Sequence, residues 1–208
     1  MPGTSDLPSR EGLSRFRSDE DGPVVVKSFV PAPLLIPDVP LDVLSFDQAL
    51  ANTGWVWVTH RGGGEYTLQA GMLVPPEMNA KGNELSLRRG GWLFDQIFGM
   101  VIEGAPGVVL HEEPPVARGR MSRPESSLLA ALAVRNAVGS KAVPVSAQTA
   151  KKRFAGDPNA DKRLVRQGLL SVFPPAATLK PLNEHIIDAL ALALVWIETT
   201  HGGMGHGK

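Results

Sequence analysis

The succession of elements along this 208-residue chain predicts an α/β fold, a mixed five-stranded sheet flanked by helices. Three β-prone segments follow one another between residues 43 and 74, with turn residues between them. Strand-like and helical segments then alternate up to residue 172, and the chain closes on an apolar helix over residues 184–199.

Each element has its own signal. Val43-Leu44-Ser45-Phe46 is an apolar run entering Asp47, a buried strand with an acid at its end. Ala51-Asn52-Thr53-Gly54 is a turn signal. Trp55-Val56-Trp57-Val58 is aromatic and β-branched, a second strand. Gly62-Gly63-Gly64 marks another turn and residues 65–74 alternate as a third strand, so the three predict an antiparallel meander. Leu85, Trp92, Leu93, Ile97, Phe98 and Val101 recur near helical spacing, which predicts a helix over 84–102 in spite of Gly90-Gly91. Gly107-Val108-Val109-Leu110 is a short buried strand that ends in His111-Glu112-Glu113-Pro114-Pro115. Residues 125–138 form a helix with an apolar face of Leu128, Leu129, Leu132 and Val134. Ala142 to Val145 is β-prone, and Pro144 confines it to an edge. Residues 146–154 and 159–172 are two basic helices parted by Gly156-Asp157-Pro158, and Asn183 caps the last helix. Pro31, Pro33, Pro37 and Pro40 break residues 24–40 into an irregular strap behind a polar arm. The organisation expected is an arm and strap over 1–40, one domain over 41–201 and a Gly-rich tail over 202–208.

The chain has no cysteine, which excludes disulfides and thiolate metal sites. No apolar run approaches the ~20 residues that cross a bilayer, and no apolar signal core follows Met1, so a cytoplasmic protein without a membrane partner is expected. The net charge is zero but divided: residues 1–114 hold 8 Lys and Arg against 15 Asp and Glu, residues 115–208 hold 13 against 6. A basic half of this kind either meets a polyanion or merely solvates helix faces.

Four places carry chemistry. Asp47 ends one apolar strand, Glu112 and Glu113 end another, and His185 and Asp188 stand three apart on the last helix, on one face. An acid at a buried strand end is costly unless solvated or paired with a cation. Acids converging from separate elements suit Mg²⁺ or Mn²⁺, and Mn²⁺ accepts imidazole too. Two such ions about 4 Å apart hydrolyse a phosphodiester by activating water and stabilising the leaving oxygen. Singly, each of these residues also has an ordinary place as a cap, a solvated loop or a surface pair.

The ordered set resembles the RuvC family. Leu44-Ser45-Phe46-Asp47, leaving through Thr53-Gly54-Trp55, is similar to that family's first strand, although Gln48-Ala49 stands where the family usually has Pro-Gly. Val108-Val109-Leu110-His111-Glu112-Glu113 resembles the strand ending in the second acid, with Glu112 the better match and Glu113 the runner-up. His185-Ile186-Ile187-Asp188 resembles the closing helix in its His version. Gln148, Lys151, Gly156 and Asp161-Lys162 resemble the basic stretch before it.

The resemblance spans residues 43–199. It implies a ribonuclease H-like fold and a crossover junction endodeoxyribonuclease of DNA recombination and repair, cutting four-way (Holliday) junctions as a homodimer. It implies two Mg²⁺ or Mn²⁺ ions on Asp47, Glu112, His185 and Asp188, with Lys151 and Lys162 acting on DNA and Lys152 a substitute for Lys151. Helix 125–138 is the candidate dimer face. The family's stacking aromatic after the second acid is missing, since Pro114, Pro115 and Val116 occupy that loop. Arg118, Arg120 and Arg123 follow as candidate phosphate ligands, which leaves room for a broader branched-DNA nuclease. A nucleoid-associated protein is implied, or one of the host cytoplasm for a source among the phages, where divergent relatives occur. Two other readings stay open: a nuclease of the same fold acting on RNA–DNA hybrid, and a branched-DNA-binding protein without turnover. A nucleotide-binding protein of sugar-kinase or actin type lacks its glycine loops here.

Overall fold

In the computed structural model of the chain, residues 29–34, 38–61, 66–114 and 124–201 are described. The arm, the Gly62-Gly63-Gly64 turn, Arg118, Arg120, Arg123 and the tail lie outside them.

The first apolar run builds β1 (Leu41–Asp47), buried at every position but one because it is covered on both faces. Two further strands, β2 (Thr53–His60) and β3 (Tyr66–Leu73), extend the sheet antiparallel on one side. On the other side β4 (Val108–Glu112) and β5 (Ala142–Val145) run parallel to β1. The sheet order is β3-β2-β1-β4-β5, so the meander and the two crossover strands share β1 as their seam. Pro144 sits on the outer strand, where a missing N–H leaves no inner ladder bond unmade.

Side-chain parity divides the core. Leu41, Val43, Leu110 and Val145 face one layer, formed by α3 (Ala147–Ala155), α4 (Lys162–Val172) and α5 (Glu184–His201). Leu44, Phe46 and Val109 face the other, formed by α1 (Gly82–Gly104) and α2 (Pro124–Val138). Ten residues of α5 are buried, which makes it the central helix rather than an amphipathic surface one. Among the described residues no helix is long and apolar enough to cross a membrane.

Two expectations need correction, and one short element is new. The second basic helix starts at Lys162, not at 159, because the Asp161 carboxylate accepts from Leu164 N–H at 2.9 Å and caps it there. A short 3-10 segment, Pro174–Thr178, separates α4 from α5. The Leu-rich face assigned to residues 125–138 is split. Val134 is buried among Ala130, Ala133 and Ala137, whereas Leu128 is 52% and Leu132 39% exposed. Small side chains on the inner face let α2 lie close to α1, and the larger leucines turn outward.

The strap also has a described part. The Arg153 guanidinium donates to the carbonyls of Ala32 and Pro33 and forms a two-point pair with Glu198 of α5, at 2.6 and 2.9 Å. Residues 32–33 are thereby fastened to α3 and α5 as irregular chain.

Candidate active site

The parallel register decides which acids meet. Val43 lies beside Val108 and Phe46 beside His111, so Asp47 and Glu112 end adjacent strands at the same sheet edge. Both have the parity of Leu110 and Val43, and both therefore face α5. Glu113, one residue on, is exposed and continues the ladder through its N–H to Val145 O at 2.9 Å. Of the two candidates, Glu112 is the one that stands beside Asp47.

From the other side α5 presents His185 and Asp188. Asn183 caps this helix, accepting from Ile186 N–H at 3.0 Å, which places His185 in the first turn. His185 donates from Nδ1 to Asp47 Oδ2 at 2.7 Å. The approach is close because residue 54 has no side chain: a Cβ on Gly54 would stand 2.5 Å from the backbone of His185. Lys162, the first residue of α4, reaches Asp188 Oδ2 at 2.8 Å and Glu184 at 3.4 Å. A pocket of about 150 Å³ between these elements is lined by Asp47, Glu112, Lys151, Lys162 and Asp188. Lys152 is exposed and is not part of this lining.

The charges are mutually perturbed. Burial first, then the charge of Asp47 and the hydrogen bond shared with it, push the Glu112 carboxyl up to about 7. Burial also raises Asp188, against the pull of Lys162. The hydrogen bond to Asp47 raises the His185 imidazolium above its ordinary value, outweighing burial. Burial lowers Lys162, but its bond to Asp188 and the surrounding acids outweigh that and hold it above the usual lysine range. Three carboxylates, two lysines and one imidazole thus meet at this sheet edge, and the acids are held toward their neutral forms by burial at Glu112 and Asp188.

This donor set suits a hard divalent cation in its chemistry: oxygen-rich and partly dehydrated. It is not closed on one point. Among the described residues no three His, Asp or Glu side chains stand in the geometry of a finished metal site. In this arrangement Lys162 holds an oxygen of Asp188 and His185 an oxygen of Asp47.

Sequence reasoning missed three features here. Gln48, a departure from the family pattern in the turn, bonds the backbone of Glu112 through its side chain. Arg163 and Arg166 were not singled out; with Lys162, Glu184, Ile187 and Asp188 they line a second cleft of about 230 Å³ next to the first. The helical spacing of 162, 163 and 166 was the available signal.

No family model matches the chain, and no curated protein sequence matches it. Solved structures do. The RuvC of T. thermophilus in complex with a Holliday junction substrate superposes with a TM-score of 0.62 over 78% of this chain and 96% of that one, at 20% identity. A second structure of Thermus thermophilus RuvC gives 0.58, with 78% and 97% covered and 21% identity. The chain has the RuvC fold. The five-stranded order β3-β2-β1-β4-β5, with its helical layers, is the ribonuclease H-like arrangement that the sequence resemblance implied. A yeast mitochondrial Holliday junction resolvase also matches, at a TM-score of 0.49 and 13% identity over 77% of this chain and 80% of that one. On this RuvC-type frame, Asp47, Glu112, His185 and Asp188 converge from β1, β4 and α5, the three elements that the resemblance named.

Proposed function

We propose that the protein is a divalent-metal-dependent endonuclease that cuts branched DNA, four-way junctions foremost. The observation that carries this reading is the meeting of Asp47 and Glu112, on neighbouring parallel strand ends, with Asp188 of α5 in one pocket also lined by Lys151 and Lys162, and with His185 bonded to Asp47. The RuvC fold, and the junction complex of its thermophilic neighbour, support the choice of substrate.

Asp47, Glu112, His185 and Asp188 would hold two Mg²⁺ or Mn²⁺ ions. When bound, the ions supply an activated water and stabilise the departing 3′ oxygen. The protein's own groups do the rest. Glu112, held toward its neutral form by burial and by the charge of Asp47, would give up its proton to serve as a ligand. His185, bonded through Nδ1 to Asp47, would offer an imidazole nitrogen to the ion in its neutral form. Lys162, which pairs with Asp188 in the metal-free site, would offset charge developing on the phosphate oxygens. Lys151, on the same pocket wall, neutralises the strand alongside it. The products in this reading are nicks with 5′ phosphate and 3′ hydroxyl ends.

Paired cuts in a two-fold symmetric junction need two equivalent sites, and a homodimer supplies them. Leu128 and Leu132 on α2, with Phe98 and Ile102 on α1, are apolar side chains left exposed and support such an interface.

The test is cleavage of a labelled synthetic four-way junction with Mg²⁺, with Mn²⁺ and with chelator, beside duplex, flap and RNA–DNA hybrid. Symmetric metal-dependent nicks at the junction are expected. Cleavage confined to flap or hybrid moves the substrate and keeps the chemistry. Binding without cleavage of any substrate overturns the nuclease reading.

A further inference from the structure

We propose that Gln48 is a positioning residue of the acidic site, whose carboxamide holds the backbone of Glu112 so that its carboxylate meets Asp47. The inference rests on the nuclease reading above and names a residue that acts through Glu112.

The argument begins where β1 stops. Its pairing with β4 reaches Phe46 beside His111, and one residue later the chain must turn to enter β2, where Gly54 lies opposite Asp47. The turn is closed locally: the Thr53 hydroxyl donates to Ala49 O at 2.8 Å and accepts from Ala49 N–H at 3.2 Å. The backbone of β1 has therefore left the sheet before Glu112, whose N–H and carbonyl still face that side. On the opposite side β5 is engaged through Glu113 N–H.

Gln48 fills the gap. Its Nε2 donates to Glu112 O at 2.6 Å and its Oε1 accepts from Glu112 N–H at 2.9 Å. A primary carboxamide carries one donor and one acceptor with the spacing of a peptide group, so it substitutes for the strand that turned away. Glutamate offers no donor, methionine neither group, and asparagine is one methylene shorter. The side chain is only 9% exposed, so water competes little for either bond. With both backbone groups of Glu112 clamped, the direction of its Cβ is set toward α5, and the carboxylate arrives at Asp47. A residue in this position tunes a metal site without touching the ion, because it orients a ligand.

The experiment uses the full chain and Gln48→Met, which keeps the volume and removes both bonds. Mn²⁺ affinity is read by calorimetry on the free protein, the Mn²⁺ midpoint by junction cleavage, and folding by thermal unfolding. The expected result is Mn²⁺ binding weakened about 10–100-fold, with the cleavage midpoint moved by the same factor and the rate at saturating metal within a few-fold of wild type. Gln48→Asn, which retains the carboxamide at shorter reach, gives the same shift and serves if the first variant does not fold. A lower melting temperature with unchanged Mn²⁺ affinity and midpoint overturns the proposal and leaves Gln48 a fold residue only. Wild-type protein that neither binds Mn²⁺ nor cuts DNA overturns the nuclease reading itself, an outcome visible before any variant is made.

Discussion

Asp47 bears three relations at once: strand end, hydrogen-bond acceptor of His185 and neighbour of Glu112. Asp47→Asn keeps the shape and removes the charge. Junction cleavage should fall about a thousandfold or more, several kcal/mol of lost electrostatic stabilisation, while junction binding in a gel assay stays near wild type. Residual cutting close to the wild-type rate would remove Asp47 from the site. Glu112 leads to a pH prediction. Its folded value of about 7 lies above the ordinary 4.5, so the fold favours its neutral form. Between those values the folded chain binds more protons than the unfolded one, and stability falls as pH rises. His185, raised by Asp47, adds stability below its unfolded value that is lost as pH rises through its folded one, so both trends run the same way. The metal-free protein should therefore lose stability as pH rises from 4.5 through 7. Mg²⁺ should recover more melting temperature at pH 8 than at pH 5. Denaturation curves that are flat in pH, or identical to those of Glu112→Gln, would contradict this.

At the scale of elements, the site depends on how closely β2 and the N-terminus of α5 approach. Gly54 is where they touch, and the missing Cβ is what admits His185 to Asp47. Gly54→Ala should destabilise the fold by about 1–3 kcal/mol and lower Mn²⁺ affinity by displacing His185. Gly99→Ala, a helical position where a Cβ meets nothing within 4 Å, is the control and should leave both unchanged or slightly improve stability. Equal melting temperatures for the two variants would mean that the helix yields without strain. The elements themselves were legible from periodicity: all five strands and the five helices stand within a few residues of their expected positions. Helix starts were less so, since Asp161 rather than apolar spacing sets where α4 begins. The face of α2 was misjudged for a related reason. Spacing finds an apolar stripe, but alanines that allow close packing look weaker in sequence than the leucines that stay outside.

For the whole molecule, four basic residues of the second half of the sequence gather at the acidic pocket and the cleft beside it. Lys151 and Lys162 flank that pocket, and Arg163 and Arg166 line the adjoining cleft. Replacing Lys151, Arg163 and Arg166 together with Ala should weaken junction binding and reduce the slope of log affinity against log salt by about 2–3. An unchanged slope would place the DNA elsewhere. Leu128→Glu with Leu132→Glu should convert a dimer to monomer in light scattering and uncouple the paired nicks, since both leucines are exposed on the monomer. A dimer that survives both changes would move the interface off α2.

The residue types, their order and the strands and helices that carry them belong to the sequence, because periodicity and turn chemistry are local. Four candidate ligands could be named without knowing where any of them pointed. Register and reach are not local. That Glu112 rather than Glu113 meets Asp47 follows from pairing Phe46 with His111. That Gln48 serves an acid 64 positions away follows from a strand turning early. That Lys162 is held by Asp188 follows from α4 and α5 meeting at that sheet edge. Each is decided by two segments distant in the chain coming within hydrogen-bond range, and only the packed tertiary structure brings them there.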